Sequence, residues 1–223
     1  SAGMHAFFNT NQEELKQLKY LITFVLGFLL SGIWFGCHIL CKQIMHKKKL
    51  DQFEAAQPLL SALLPTLVIW LIKREVPLHI AALCRWKLWG ILMVTVLLTC
   101  LIKLGARSSE TVHLPTACLE AALMELPQRA MMQTFVCMIL EAWKLNYLYG
   151  VLINAFIWVV DIIVQAIIFK RVNVRELTID ALASFVFSIG VGYVFYDSEC
   201  LLLTMLAHAA ERFIVSRLSR RNS

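Results

Sequence analysis

Glu125 and Arg129 stand four residues apart inside residues 114–140, LPTACLEAALMELPQRAMMQTFVCMIL, a stretch otherwise apolar enough for a membrane interior. That spacing places both on one helical face, within pairing reach. Glu120 and Gln128 add polar groups to the same stretch. Charges at membrane depth are costly, so they face a bundle interior or a wet cavity and mark candidate sites. Pro127 lies between the pair; it lacks an N–H and clashes with the carbonyl of Leu123, which predicts a kink and a freed carbonyl. Backbone opened at that depth must be covered by protein or water. Two readings follow from the residues: a reaction or transport site, or a structural ion pair that locks two helices together.

Further polar groups recur at helical spacing. Asn154, Trp158, Asp161 and Gln165 step by four, three and four, and so form one stripe. Asp180, Ser184, Ser188 and Gly192 do the same, and Thr204, His208, Glu211 and Arg212 share a face. Such groups often only join helices, at roughly 0.6–2 kcal/mol per hydrogen bond, and the serines and Thr204 are read that way. Glu125, Asp161 and His208 are different. With alternating spans each lies nine to eleven residues from the same surface, or roughly 13–17 Å at 1.5 Å per residue. Two carboxylates and an imidazole at one depth can activate a water, or relay a proton.

The elements that must hold these groups are apolar helices. Of the 223 residues 59% are hydrophobic and 16% charged, against roughly 25% charged in soluble domains. Several runs reach the ~20 residues needed to cross a membrane. The expectation is an all-α polytopic membrane protein, one domain over 20–218, with about seven spans around a polar cavity. The spans run over 20–40, 53–72, 88–104, 114–140, 148–169, 177–196 and 201–218, the second weakened by Glu54, Gln57 and Pro65. Ser1-Ala2-Gly3 before Met4 reads as the remnant of a cleaved expression tag, and no cleavable signal is expected. Residues 5–19 are expected to form a short surface helix, 73–87 an interfacial connector and 105–109 a turn. Thirteen Lys and Arg fall in the segments 42–51, 103–112, 170–176 and 212–221, against seven on the other side, four of those in 73–87. This predicts an outside N-terminus and a cytoplasmic C-terminus, with 73–87 as the misfit.

Other chemistries find little support. The seven cysteines include no CxxC pair and read as packing residues, although Cys37 and Cys41 can meet on one helix face. No HExxH occurs and no ligand spacing supports a divalent metal, so no cofactor is expected. The net charge of +6 gathers at helix ends, where topology explains it, and no nucleic-acid partner is expected.

The order of motifs resembles the intramembrane proteases that include the CAAX-prenyl endopeptidases and the bacterial Abi proteins of bacteriocin processing and self-immunity. Met124-Glu125-Leu126-Pro127-Gln128-Arg129 is similar to that family's Glu-Glu-x-x-x-Arg motif, with Met124 in place of the leading glutamate. Gly192-Tyr193 and then residues 200–209, CLLLTMLAHA, resemble the run into the family's last histidine, with Arg212 where Asn or Asp is usual. The middle Phe-x-x-x-His motif has no counterpart, and Asp161 or Asn154 is the nearest candidate. The resemblance covers about 114–215. It implies a helical bundle around a conical cavity in a bacterial cytoplasmic membrane, and a membrane-associated peptide or protein as substrate. It also implies a glutamate that activates water, with His and Asn stabilising the oxyanion.

On that basis Glu125 is the expected general base, His208 the oxyanion donor, Arg129 the residue that orients Glu125, and Asp161 a second acid. Asn154, Trp158, Arg212 and Gln128 are the expected cavity residues. The alternatives are a catalytically impaired member acting as a membrane regulator or bacteriocin-immunity protein, favoured by Met124, and a small proton-coupled transporter, which the lack of an inverted repeat disfavours.

Overall fold

A computed structural model describes residues 2–104, 113–170 and 173–219. Among these residues there is no β-strand. The helices are α1 (Ala2–Lys47), α2 (Gln57–Lys73), α3 (Trp86–Lys103), α4 (Leu114–Leu123), α5 (Thr134–Ala142), α6 (Tyr149–Ile168), α7 (Val174–Ser198) and α8 (Leu201–Ser219). Between α4 and α5 the chain continues as a π-helical segment, Leu126–Gln133. Among the described residues four stretches are long and apolar enough to cross a membrane: Gln12–Lys47 of α1, α3, α6 and α7. The protein is a helical bundle of membrane-spanning character. Helix α2, at 17 residues, is a shorter apolar helix, and α8 carries Glu211, Arg212 and Arg217.

Two expectations change. The surface helix expected over 5–19 is instead the start of α1, which runs unbroken for 46 residues. That is about 69 Å, roughly twice the hydrocarbon thickness. No Pro or Gly interrupts 4–26, so nothing in the backbone stops the helix from continuing out of the apolar run. The connector 73–87 is tied to the α7–α8 turn. Leu201 N–H donates to the Pro77 carbonyl (2.9 Å), and Leu78 pairs with Cys200 in an isolated antiparallel bridge. Lys73 Nζ lies 2.7 Å from Glu199 Oε1, and Arg85 Nη2 2.5 Å from Asp197 Oδ2. Two of the four cations that upset the loop-charge count are thus paired with acids of the α7–α8 turn. The second change is in the fourth span, where the disturbance at Pro127 takes the form of an eight-residue π-helical segment. The turn expected at 105–109 lies outside the described residues.

Two apolar clusters tie the helices together. One joins α3, α7 and α8 through Leu88, Leu92, Val96, Phe187, Val191 and Leu203. The other joins α1, α2, α6 and the π segment through Trp34, Ala62, Ile69, Met131, Met132 and Trp158. Lipid tails are as apolar as these side chains, so close approach and polar bonds must supply the cohesion. Trp34 Nε1 donates to Ser61 Oγ (3.1 Å) between α1 and α2. Between α3 and α7, Gly190 lets Thr95 come so near that an added Cβ would lie 2.0 Å from Thr95 Oγ1 and 2.8 Å from Thr95 Cβ. Gly190→Ala should therefore push these helices apart and cost roughly 1–3 kcal/mol. Thr95→Ala in the same chain should recover part of the loss, as read by thermal melting in detergent.

Candidate functional site

The site is built on the wide turn of the fourth span. Its first residues bring Glu125 and Arg129 to one side, both fully buried, with Arg129 Nε donating to Glu125 Oε2 at 3.1 Å. Arg129 Nη1 donates to Gln133 Oε1 (3.1 Å) and Nη2 to Ser188 Oγ (3.4 Å). Gln133 Nε2 then donates to the Gly192 carbonyl (2.8 Å), which ties the turn to α7. Gly192 permits this approach: a Cβ there would stand 3.0 Å from Gln133 Oε1 and 3.1 Å from Arg129 Nη1. The widened backbone is covered from within, since Thr134 N–H and Thr134 Oγ1 both donate to the Arg129 carbonyl.

His208 of α8 completes the network, with Nδ1 2.7 Å from Glu125 Oε1. A carboxylate beside a guanidinium accepts, so Nδ1 donates to Glu125, and in the neutral imidazole Nε2 then carries the lone pair. His208 lies on the wall of a cavity of about 480 Å³, together with Met124, Gln128, Trp158, Gln165 and Arg212. Its wall also holds Glu120, Asp180 and the ion pair of Glu211 with Lys103, whose Nζ is 2.7 Å from Glu211 Oε1. Gln128 is buried and lines the same cavity. A side-chain amide at that place can donate to a bound group.

This geometry reverses the expected order of the two principal residues. Glu125 does not form part of the cavity wall; it lies behind His208, with one oxygen bonded to Arg129 and the other to His208. It cannot touch a water in the cavity, and its chemistry passes through the imidazole. Met124, at the position where the resemblance implies the leading glutamate, does face the cavity.

The α6 stripe divides. Trp158 and Gln165 line the cavity, but Asp161 does not, and accepts a hydrogen bond from Ser31 Oγ of α1. Along a helix of 3.6 residues per turn Asp161 is rotated about 60° from Trp158, enough to hand it to the neighbouring helix. Asn154 is also away from the cavity, fully buried, with both amide atoms unpaired among the described residues. So Glu125, Arg129 and His208 come together, Gln128, Trp158 and Arg212 share their cavity, and Asp161 and Asn154 stand apart.

The chain matches no family model, no curated protein and no solved structure. Its chemistry must be argued from the site itself.

The sequence singles out Glu120, Asp180 and Glu211 as polar groups without assigning them to the site, and gives no sign of Lys103. The Glu211–Lys103 contact joins residues 108 positions apart, so spacing could not reveal it. Glu120 was reachable: four residues before Met124, it shares the face that Met124 presents.

Proposed function

We propose that the protein is an intramembrane endopeptidase of the CAAX-prenyl endopeptidase and Abi type, acting on a membrane-associated peptide or protein. The observation that carries this reading is the 2.7 Å contact between His208 Nδ1 and Glu125 Oε1 on the cavity wall. A buried carboxylate that holds an imidazole by Nδ1 sets the tautomer and orientation of a general base. His208 Nε2 takes a proton from water as the water attacks the peptide carbonyl. The Gln128 amide donates to the developing oxyanion, and His208 returns the proton to the leaving amine. Arg129 pairs with Glu125 and fixes its orientation. Arg212 and Trp158 shape the wall on which the peptide lies. Seven crossings with a cytoplasmic C-terminus, in a bacterial cytoplasmic membrane, would open this cavity toward the cytosol.

A second reading is a catalytically impaired relative that captures a membrane peptide as a regulator or immunity factor. Met124 on the cavity wall favours it, because that position then lacks its carboxylate.

One experiment separates them. Purified protein in lipid nanodiscs is incubated with a panel of membrane-associated peptides, and cleavage is read by mass spectrometry alongside peptide capture. Cleavage that disappears in His208→Gln supports the peptidase. Capture without cleavage, unchanged in that variant, supports the regulator and overturns the peptidase. Asp161→Asn should leave cleavage unchanged, because Asp161 is bonded to α1 and away from the cavity.

A further inference from the structure

A second cavity, of about 280 Å³, lies at the other end of the bundle. Its wall holds Tyr196, whereas Asp180 of the first cavity is sixteen residues earlier on α7, about 24 Å at 1.5 Å per residue. The floor is formed by Gln133 and Thr134, the last links of the network around Arg129. The two cavities thus approach one buried polar layer from opposite ends.

The walls of this cavity have a consistent chemistry. Glu75, Glu141 and Glu199 face Lys73 as the only cation among the lining residues. Lys73 is already held, 2.7 Å from Glu199 Oε1 and 3.2 Å from Glu75 Oε2. Three carboxylates against one ammonium leave the lining of this cavity with a net negative charge. Beside it stand aromatic faces. The rings of Tyr147 and Tyr196 are 5.1 Å apart, both on the cavity wall, and Phe195 is a third. A tyrosine face carries a negative quadrupole that attracts a cation within about 6 Å, and more strongly when water is excluded. Carboxylate and aromatic faces around a small concavity favour one ligand class, an alkylammonium group, and disfavour anions and neutral isosteres.

We propose that this cavity is a binding site for an alkylammonium group, held by the Glu141 carboxylate and the faces of Tyr147 and Tyr196. The site is independent of the peptidase reading, since none of these three residues belongs to the His208 cavity. The ammonium can come from a free amine or from a bilayer headgroup, and the chemistry of recognition is the same.

The test uses choline and its neutral isostere 3,3-dimethyl-1-butanol with the full-length protein in maltoside detergent, with saturation-transfer-difference NMR as readout. Choline should bind saturably and the butanol should not. Tyr196→Leu should weaken choline about 2–30-fold, the range of a cation–π contact. Glu141→Gln should weaken it roughly two- to fivefold, as for a partly exposed charge pair. Both substitutions are on the surface of the cavity, and unchanged melting temperatures verify that the variants are folded. Nanodiscs separate the two sources. Choline binding lost in phosphatidylcholine discs but kept in phosphatidylglycerol discs identifies the headgroup, and binding kept in both identifies a free amine. Equal binding of the neutral isostere, or folded variants that bind choline as the wild type does, would overturn the proposal.

Discussion

Arg129→Ala is expected to lower the stability of the protein by roughly 3–5 kcal/mol, the cost of leaving a buried charge without its partner. Glu125 would keep only His208, and Gln133 and Ser188 would lose their donor. Neither Arg129 nor Glu125 has any exposed surface, so water cannot replace what is lost. Arg129→Lys should recover only part of the stability. One ammonium on a flexible stem cannot hold Glu125, Gln133 and Ser188 with the fixed fork of a guanidinium. The double change Glu125→Gln with Arg129→Met should be less damaging than Arg129→Ala alone, because it removes both charges together. Thermal melting in detergent measures all three. An unchanged midpoint for Arg129→Ala would mean that the pair does not form in the folded protein.

His208→Ala should reduce peptide cleavage by roughly 10²–10⁴-fold, the usual contribution of a positioned general base, while the fold is kept. The imidazole is half-buried at the end of the network, and its loss leaves Glu125 still paired with Arg129. Glu125→Gln should also abolish cleavage, but by another route. An amide can present its N–H to Nδ1 and favour the wrong tautomer, and Arg129 then loses its counter-charge. The two variants are therefore distinguishable: only Glu125→Gln should lower the melting temperature strongly. Met124→Glu places a carboxylate on the cavity wall, and should raise cleavage if the site is a weakened peptidase. Turnover by the His208→Ala variant equal to that of the wild type would remove His208 from the mechanism.

Much of this molecule is legible in the sequence because its strongest signals are local. Apolar runs placed α3, α6, α7 and α8 within a few residues of their observed bounds, although α8 is not among the helices long and apolar enough to span a membrane. The four-residue spacing of Glu125 and Arg129 was enough to pair them, since both lie on one stretch of helix. Pro127 announced the disturbance between them for the same reason, although not that the backbone would widen over eight residues. Depth arithmetic along separate spans brought His208 to Glu125, and the same arithmetic placed Asp161 beside them, where it is not.

Depth is a single coordinate. It says how far into a bundle a side chain lies, and leaves open the helix toward which it turns. That second coordinate is set by packing between helices that are distant in sequence. Gly192 lets Gln133 and Arg129 approach α7, Ser31 draws Asp161 to α1, and Glu125 is turned behind His208 rather than into the cavity. Residue types, helical spacing and approximate depth were determined by the sequence alone, because they depend only on chemistry and on the rise of a helix. Which acid faces the cavity, which cations of 73–87 are neutralised by the α7–α8 turn, and that two cavities meet one polar layer were decided by tertiary structure. Each of those depends on which neighbours compete for the same charge or hydrogen bond.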